Sequence, residues 1–159
     1  MNVNSSSITD DTFEIIAFRL HDQAFCVRTT SIREIRGWGP ATPIPHAPQD
    51  VLGVMNLRGM VIPIIDLANK LGMPSTVPNE RSAIVVAEVH GLVMGLLVDR
   101  VSDILTVATS RLQPVPVISV SDSATDFADG IIAQPEGMIC FLNLERMFGV
   151  QDAAALAAA

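Results

Sequence analysis

The chain matches itself. HDQAFCVRTTSIREI, residues 21 to 35, lies without a gap over HGLVMGLLVDRVSDI, residues 90 to 104, an offset of 69 positions from 21 to 90. That overlay pairs His21 with His90, Val27 with Leu96, Ile32 with Val101 and Glu34 with Asp103. GVMNLRGMVIPIIDLANKLG, 53 to 72, lies over GIIAQPEGMICFLNLERMFG, 130 to 149, an offset of 77 from 53 to 130, with both terminal glycines aligned and Leu67 over Leu144. Self-similarity of this kind means one supersecondary unit made twice. In 159 residues each unit is too small to bury an adequate core by itself, so the two copies are expected to share one.

The unit reads as β-structure. Ten prolines and ten glycines leave few windows for a long amphipathic helix. In FEIIAFRL, Ile16, Phe18 and Leu20 share a face by period-two alternation, and after the polar tip His21, Asp22, Gln23 the run AFCVRT returns as a hairpin. AIVVAEVHGLVMGLLV repeats that plan with His90 and Gly91 as its turn. DLANKLG and NLERMFG each read as one short helix, N-capped by Asp66 or Asn143, with Gly72 or Gly149 at the C-terminal cap position. Each copy holds about five strand candidates in roughly 60 residues, which suits a small SH3-like barrel. The expected division is an N-terminal flexible segment 1–12, a first unit 13–72, a joint MPSTVPNER at 73–81, a second unit 82–149 and a tail 150–159. Residues 60 to 65, MVIPII, are apolar on both faces, one expected inside the barrel and one against the twin. Exchange of strands between the copies is left open.

Several classes of function are excluded at this level. A net charge of -7 and the lack of any basic run oppose binding to nucleic acid. The charged fraction, 17%, falls below the roughly 25% usual in soluble chains and suggests that apolar surface is used for contacts. Cys26 and Cys140 have no CxxC spacing and read as reduced core thiols. The start MNVNSSSITDD lacks a basic and an apolar signal region, and no apolar run nears the roughly 20 residues of a membrane span, so a cytoplasmic protein without membrane insertion is expected. His21 and His90 occupy equivalent hairpin tips and His46 a proline-spaced loop, where turn chemistry accounts for them. With no hydrolase, zincin, phosphate-loop or dinucleotide motif, no catalytic residue, metal ligand or cofactor site is expected.

The duplication also acts as a filter, because positions needed only for folding should be chemically alike in both copies. Arg58, the only charge between Val51 and Ile65, is not: its counterpart is Pro135, Asn56 becomes Ala133, and NLRG becomes AQPE. An arginine simply facing water is one reading. The other pairs it with Glu34 of SIREIRGW, for which Arg36 is an alternative neighbour. Trp38 reads equally as an exposed anchor or a half-buried loop residue. Ile32, Glu34 and Ile35 could line a groove with Gly53 and Val54, or be ordinary strand packing. Asp99 and Asp103 read as solvated or turn-forming.

EIRGW, GVMNLRGMVIPIIDL, VDRVSDIL and MICFLNLERMF, in that order between Phe13 and Gly149, resemble the CheW family of bacterial chemotaxis coupling proteins. The resemblance implies two SH3-like five-stranded barrels side by side and a non-enzymatic adaptor that links methyl-accepting chemoreceptors to the histidine kinase CheA. It further implies that the regulatory domain of the kinase has the same double-barrel fold, and that receptor tips dock near the groove between barrels. Carried over residue by residue, EIR supplies Glu34 and Ile35 and NLRG supplies Asn56, Arg58 and Gly59, with Gly53 and Val54 just upstream. Ala68 departs from the arginine often found after DL. No receiver, kinase or phosphotransfer signature is read in these 159 residues, so a stand-alone adaptor is expected. An adaptor of a non-flagellar array and a small-molecule-binding barrel are the alternatives.

Overall fold

The computed structural model describes residues 11–115 and 127–149; the tail expected at 150–159 and residues 1–10 of the expected N-terminal segment lie outside them. The elements are β1 (Thr12–Leu20), β2 (Gln23–Arg28), β3 (Ile32–Gly37), β4 (Val51–Leu57), β5 (Met60–Asp66), α1 (Leu67–Lys70), β6 (Ala83–Val89), β7 (Leu92–Val98), β8 (Arg100–Ala108), β9 (Leu112–Gln113), β10 (Ala128–Gln134), β11 (Gly137–Leu142) and α2 (Leu144–Met147). Thr12, placed in the flexible segment by sequence, already pairs with Ala108 in β1. Both short helices start as expected: Asp66 accepts from the Asn69 amide at 3.4 Å, and Asn143 from the Arg146 amide at 3.0 Å.

The protein is mostly β, in two sheets that form two SH3-like barrels. One sheet has the order β3-β6-β7-β5-β4 and is called the first barrel; the other, β8-β1-β2-β11-β10-β9, is the second. The hairpins have changed places. β1 and β2, from the start of the chain, join β8 to β11, while β6 and β7 complete the sheet of β3 to β5. Under the two sequence offsets the pairings coincide. Cys26 stands beside Phe141 in the parallel β2–β11 pair, and Gly95 beside Ile64 in the parallel β7–β5 pair.

The exchange explains the shared core. Barrel interiors are small: Leu57, Ile62, Ile64, Ile84 and Val86 in the first, with Phe13, Ile15, Cys26, Ile132 and Phe141 among those in the second. The largest cluster lies between them, where Phe18, Leu20, Ile65, Leu67, Leu96 and Phe148 are buried together. Burial of one such side chain contributes about 1.5–3 kcal/mol, so most of the apolar driving force is realised only when both barrels are present. Ile62 and Ile64 face the first interior and Ile65 the shared core, as the two-faced MVIPII run implies. Met60 and Val61, at the start of that run, are instead exposed, because the β4–β5 hairpin extends there past β7, whose pairing with β5 covers Ile64 to Asp66.

The repeated glycines have a steric cause. Gly53 and Gly130 sit at bulges in β4 and β10. A Cβ on Gly53 would collide with the Thr42 carbonyl, and one on Gly130 with the Gln113 carbonyl, because in each barrel a further segment crosses here. That segment pairs Thr42 with Val54 in one barrel and Gln113 with Ile131 in the other. The histidine tips also have a use: His21 Nε2 lies 2.7 Å from the Pro74 carbonyl and His90 Nε2 2.9 Å from that of Glu145, each tying its hairpin to the segment at the other barrel's helix.

Candidate functional site

In NLRG each residue has one task. β4 and β5 are joined by a two-residue turn, Leu57 being paired with Met60, and both turn residues are left-handed, Arg58 at φ 51 and Gly59 at φ 88. Such turns match the twist of the flanking strands. Asn56 Oδ1 accepts from the Gly59 amide at 2.8 Å and holds the turn, while Leu57 plugs the barrel interior. Arg58 is thereby pushed outward onto the rim.

The Arg58 side chain is 73% exposed, and its Nη1 donates to Glu34 Oε2 at 2.6 Å; Glu34 is 25% exposed. Of the alternatives weighed from sequence, the pair with Glu34 is therefore the one formed. β3 and β4 are the two outer strands of their sheet, so this bond spans the edge where the barrel closes. With one partner so open to water the pair contributes no more than about 1 kcal/mol to folding. Its larger effect is to fix a planar group whose remaining N–H donors face solvent. The strands that meet here also expose apolar side chains: Met60 at 45% and Val61 at 64% follow the turn in β5, and Ile35, on the opposite face of β3 from Glu34, is 39% exposed.

The other expected site residues are placed differently. Ile32 is half-buried against the shared core, and a bulge in the β3–β6 pair separates its register from that of Glu34. Gly53 is buried beneath Thr42, and Val54 is half-buried in the bridge to that residue. Asn56, Arg58 and Gly59 are exposed together at the turn. Trp38 packs on the first interior beside Leu57, the half-buried of its two readings. Sequence reasoning missed Met60 and Val61, since an apolar run carries no mark showing where a hairpin extends past the next strand of its sheet.

No chemistry of bond-breaking is built around this rim. Among the described residues no group of histidines, cysteines and acids could hold a metal ion. Burial pushes the Cys26 thiol up to about 12, with Cys140 adding to the effect, and burial raises Cys140 as well; both are protonated and poor nucleophiles at neutral pH.

Two barrels locked by an exchanged pair of hairpins, carrying a pre-oriented cation among exposed apolar side chains, define a protein of the scaffold class, one that binds other proteins without turnover. A profile of the CheW-like domain matches residues 14–152. The chain is 52% identical over 155 residues to a probable chemotaxis protein CheW of Rhizobium etli, covering 98% of this chain and 99% of that one. It is 51% identical over 145 residues to the chemotaxis protein CheW of Rhizobium meliloti, covering 91% and 93%. The crystal structure of the scaffolding protein TtCheW from Thermoanaerobacter tengcongensis superposes with a TM-score of 0.79 at 28% identity, covering 89% of this chain and 91% of that one. The chain belongs to the CheW-like family, and is a non-enzymatic adaptor of chemotaxis signalling.

Proposed function

We propose that this adaptor joins the cytoplasmic tips of methyl-accepting chemoreceptors to the regulatory domain of the histidine kinase CheA, and that the NLRG rim of the first barrel is one of its docking surfaces. One observation carries the second part. A guanidinium held by Glu34 on a turn followed by the exposed Met60 and Val61 exists in one barrel only, so the fold does not require it. A partner that covers this rim excludes water, and a carboxylate or a backbone carbonyl then gains charge-assisted hydrogen bonds from Arg58. The apolar neighbours supply area around that anchor. Gly53, Val54 and Ile32 contribute by setting the shape of the rim from behind. Among the described residues no helix is long and apolar enough to cross a membrane, so its place at the array depends on receptor binding. The protein works in the cytoplasm and is recruited to membrane-associated arrays.

The test is reconstitution with receptor-bearing membranes and CheA. The expected result is that the protein and the kinase sediment with the membranes and that receptor ligand changes kinase turnover only when all three are present. A kinase that stays in the supernatant regardless of this protein would overturn the reading.

A further inference from the structure

In the overlay of residues 21 to 35 on 90 to 104, identity survives at two positions only, His21 over His90 and Ile35 over Ile104. Both histidines are left-handed, at φ 56 and φ 52. Turn chemistry alone does not select histidine there. Asparagine accepts that backbone at least as readily, and asparagine-glycine is the strongest short hairpin signal, yet the second copy has His90 before Gly91. What histidine adds is a donor at the far side of its ring. His21 Nε2 lies 2.7 Å from the Pro74 carbonyl and His90 Nε2 2.9 Å from that of Glu145. A carbonyl can only accept, so each bond requires the proton on Nε2.

The donors are equivalent under the overlay and the acceptors are not: Pro74 follows α1, whereas Glu145 lies inside α2. A repeated turn residue has no need to find a carbonyl at two different places; a repeated fastening does. Each bond also crosses between the barrels. The β1–β2 hairpin, in the second sheet, is tied to the chain that leaves the first barrel, and the β6–β7 hairpin, in the first sheet, to the helix that follows β11 of the second. The His21 amide donates in addition to the carboxylate of Asp99, which lies between β7 and β8 where the chain passes from the first sheet to the second. The shared core is apolar and its attraction is non-directional, whereas a hydrogen bond weakens steeply as its angle closes. Bonds at the hairpin tips are therefore suited to resist rotation of one barrel against the other.

We propose that His21 and His90 are positioning residues of the adaptor: a pair of cross-barrel clasps that fixes the angle between the barrels, and with it the angle at which partners held by the protein face one another. The clasp itself is a property of the free protein. Its consequence for signalling rests on the reading that the adaptor joins receptor to kinase.

Three proteins separate the clasp from the turn. They are the parent, the double variant His21→Asn with His90→Asn, which suits the left-handed turn but whose side chain is too short to reach, and the double variant His21→Gln with His90→Gln, whose amide nitrogen reaches the place of Nε2. In the parent, nitrogen NMR in alkaline solution should show both rings protonated at Nε2. Backbone residual dipolar couplings, fitted to each barrel separately, should give one alignment tensor for the parent and the glutamine protein and two different tensors for the asparagine protein. The melting temperature of the asparagine protein should stay within about 4 °C of the parent, since both bonds are exposed. With receptor-bearing membranes and CheA, all three proteins should bring the kinase to the membranes. The change in kinase turnover on adding receptor ligand should fall about fivefold or more with asparagine and return with glutamine. The proposal is overturned if the rings are protonated at Nδ1, if the asparagine protein keeps a single tensor or the full kinase response, or if glutamine behaves like asparagine. A larger fall in the melting temperature with asparagine would also overturn it, by making the histidines general stabilisers. A parent that leaves the kinase in the supernatant defeats the docking reading instead, and the dipolar couplings then decide the clasp by themselves.

Discussion

A left-handed backbone is uncommon for a residue with a long side chain, and Arg58 adopts it because the tight turn between β4 and β5 demands it. The guanidinium is thus delivered to the rim by backbone geometry and held there by Glu34. Arg58→Ala should leave folding within about 1 kcal/mol of the parent, because an exposed ion pair contributes little. Loss of a fixed interfacial anchor commonly costs 2 kcal/mol or more, so affinity for a partner docked on NLRG should fall about thirtyfold or more. Calorimetry of the variant alone, together with titration against receptor and against the kinase regulatory domain, checks both numbers; an unfolded variant, or unchanged affinity for both partners, contradicts the assignment. Cys26 permits a second prediction. Its folded pKa of about 12 lies above the ordinary 9.0, so the unfolded chain loses the thiol proton first. The stabilisation is complete below pH 9 and is lost as pH rises toward 12. With no tyrosine and with Lys70 as its only lysine, the chain has few other groups titrating in that window. Urea unfolding from pH 8 to 10.5 should show declining stability, with a shallower decline in Cys26→Ala; equal slopes would rule out this origin.

At the scale of the elements, the bulged strands and the segments that cross them carry the barrel geometry. Gly53→Ala would place a Cβ against the Thr42 carbonyl at φ 151. Backbone strain of this kind costs about 1–3 kcal/mol, and the collision adds to it. At Gly59, with φ 88, nothing lies within 4 Å of an added Cβ, so Gly59→Ala should cost only the left-handed penalty of about 1–2 kcal/mol. Denaturant midpoints of the two variants give the comparison, and a Gly53→Ala protein as stable as Gly59→Ala would show that the crossing segment yields. The sequence overlay exposes Gly53 and Gly130 as a matched pair, yet the reason for the match, a carbonyl from a distant segment pressed onto the strand, has no local sequence signal. The same holds for His21 and His90. Their positions at hairpin tips are legible, whereas the carbonyls they reach belong to the other barrel.

For the whole molecule, the exchanged hairpins make each half of the chain incomplete. Residues 1–78 contain β1 to β5 but lack β6 and β7, and residues 79–159 contain β6 to β11 but lack β1 and β2. Neither fragment should give a dispersed NMR spectrum alone, and mixing them should restore one. Independent folding of either would refute the interdependence. The shared core makes the same point by another route. Phe18→Ala, at a side chain 1% exposed, should cost about 3–5 kcal/mol and lower one cooperative transition rather than split it in two.

Period-two runs, turn dipeptides and helix caps depend on neighbours a few residues away, and from them the sequence alone determined two β-rich copies, their hairpins and the caps at Asp66 and Asn143. Comparison of the copies singled out Arg58 and Glu34, because a pair present in one copy and absent in the other is visible without coordinates. The destination of each hairpin was decided only by the tertiary structure. Backbone ladders carry no address: β1–β2 and β6–β7 are register equivalents that offer the same hydrogen bonds to either sheet. Packing of both barrels into one core chose between them, and only the folded structure shows Met60 and Val61 outside and a cavity beside Ala17 and Ala24.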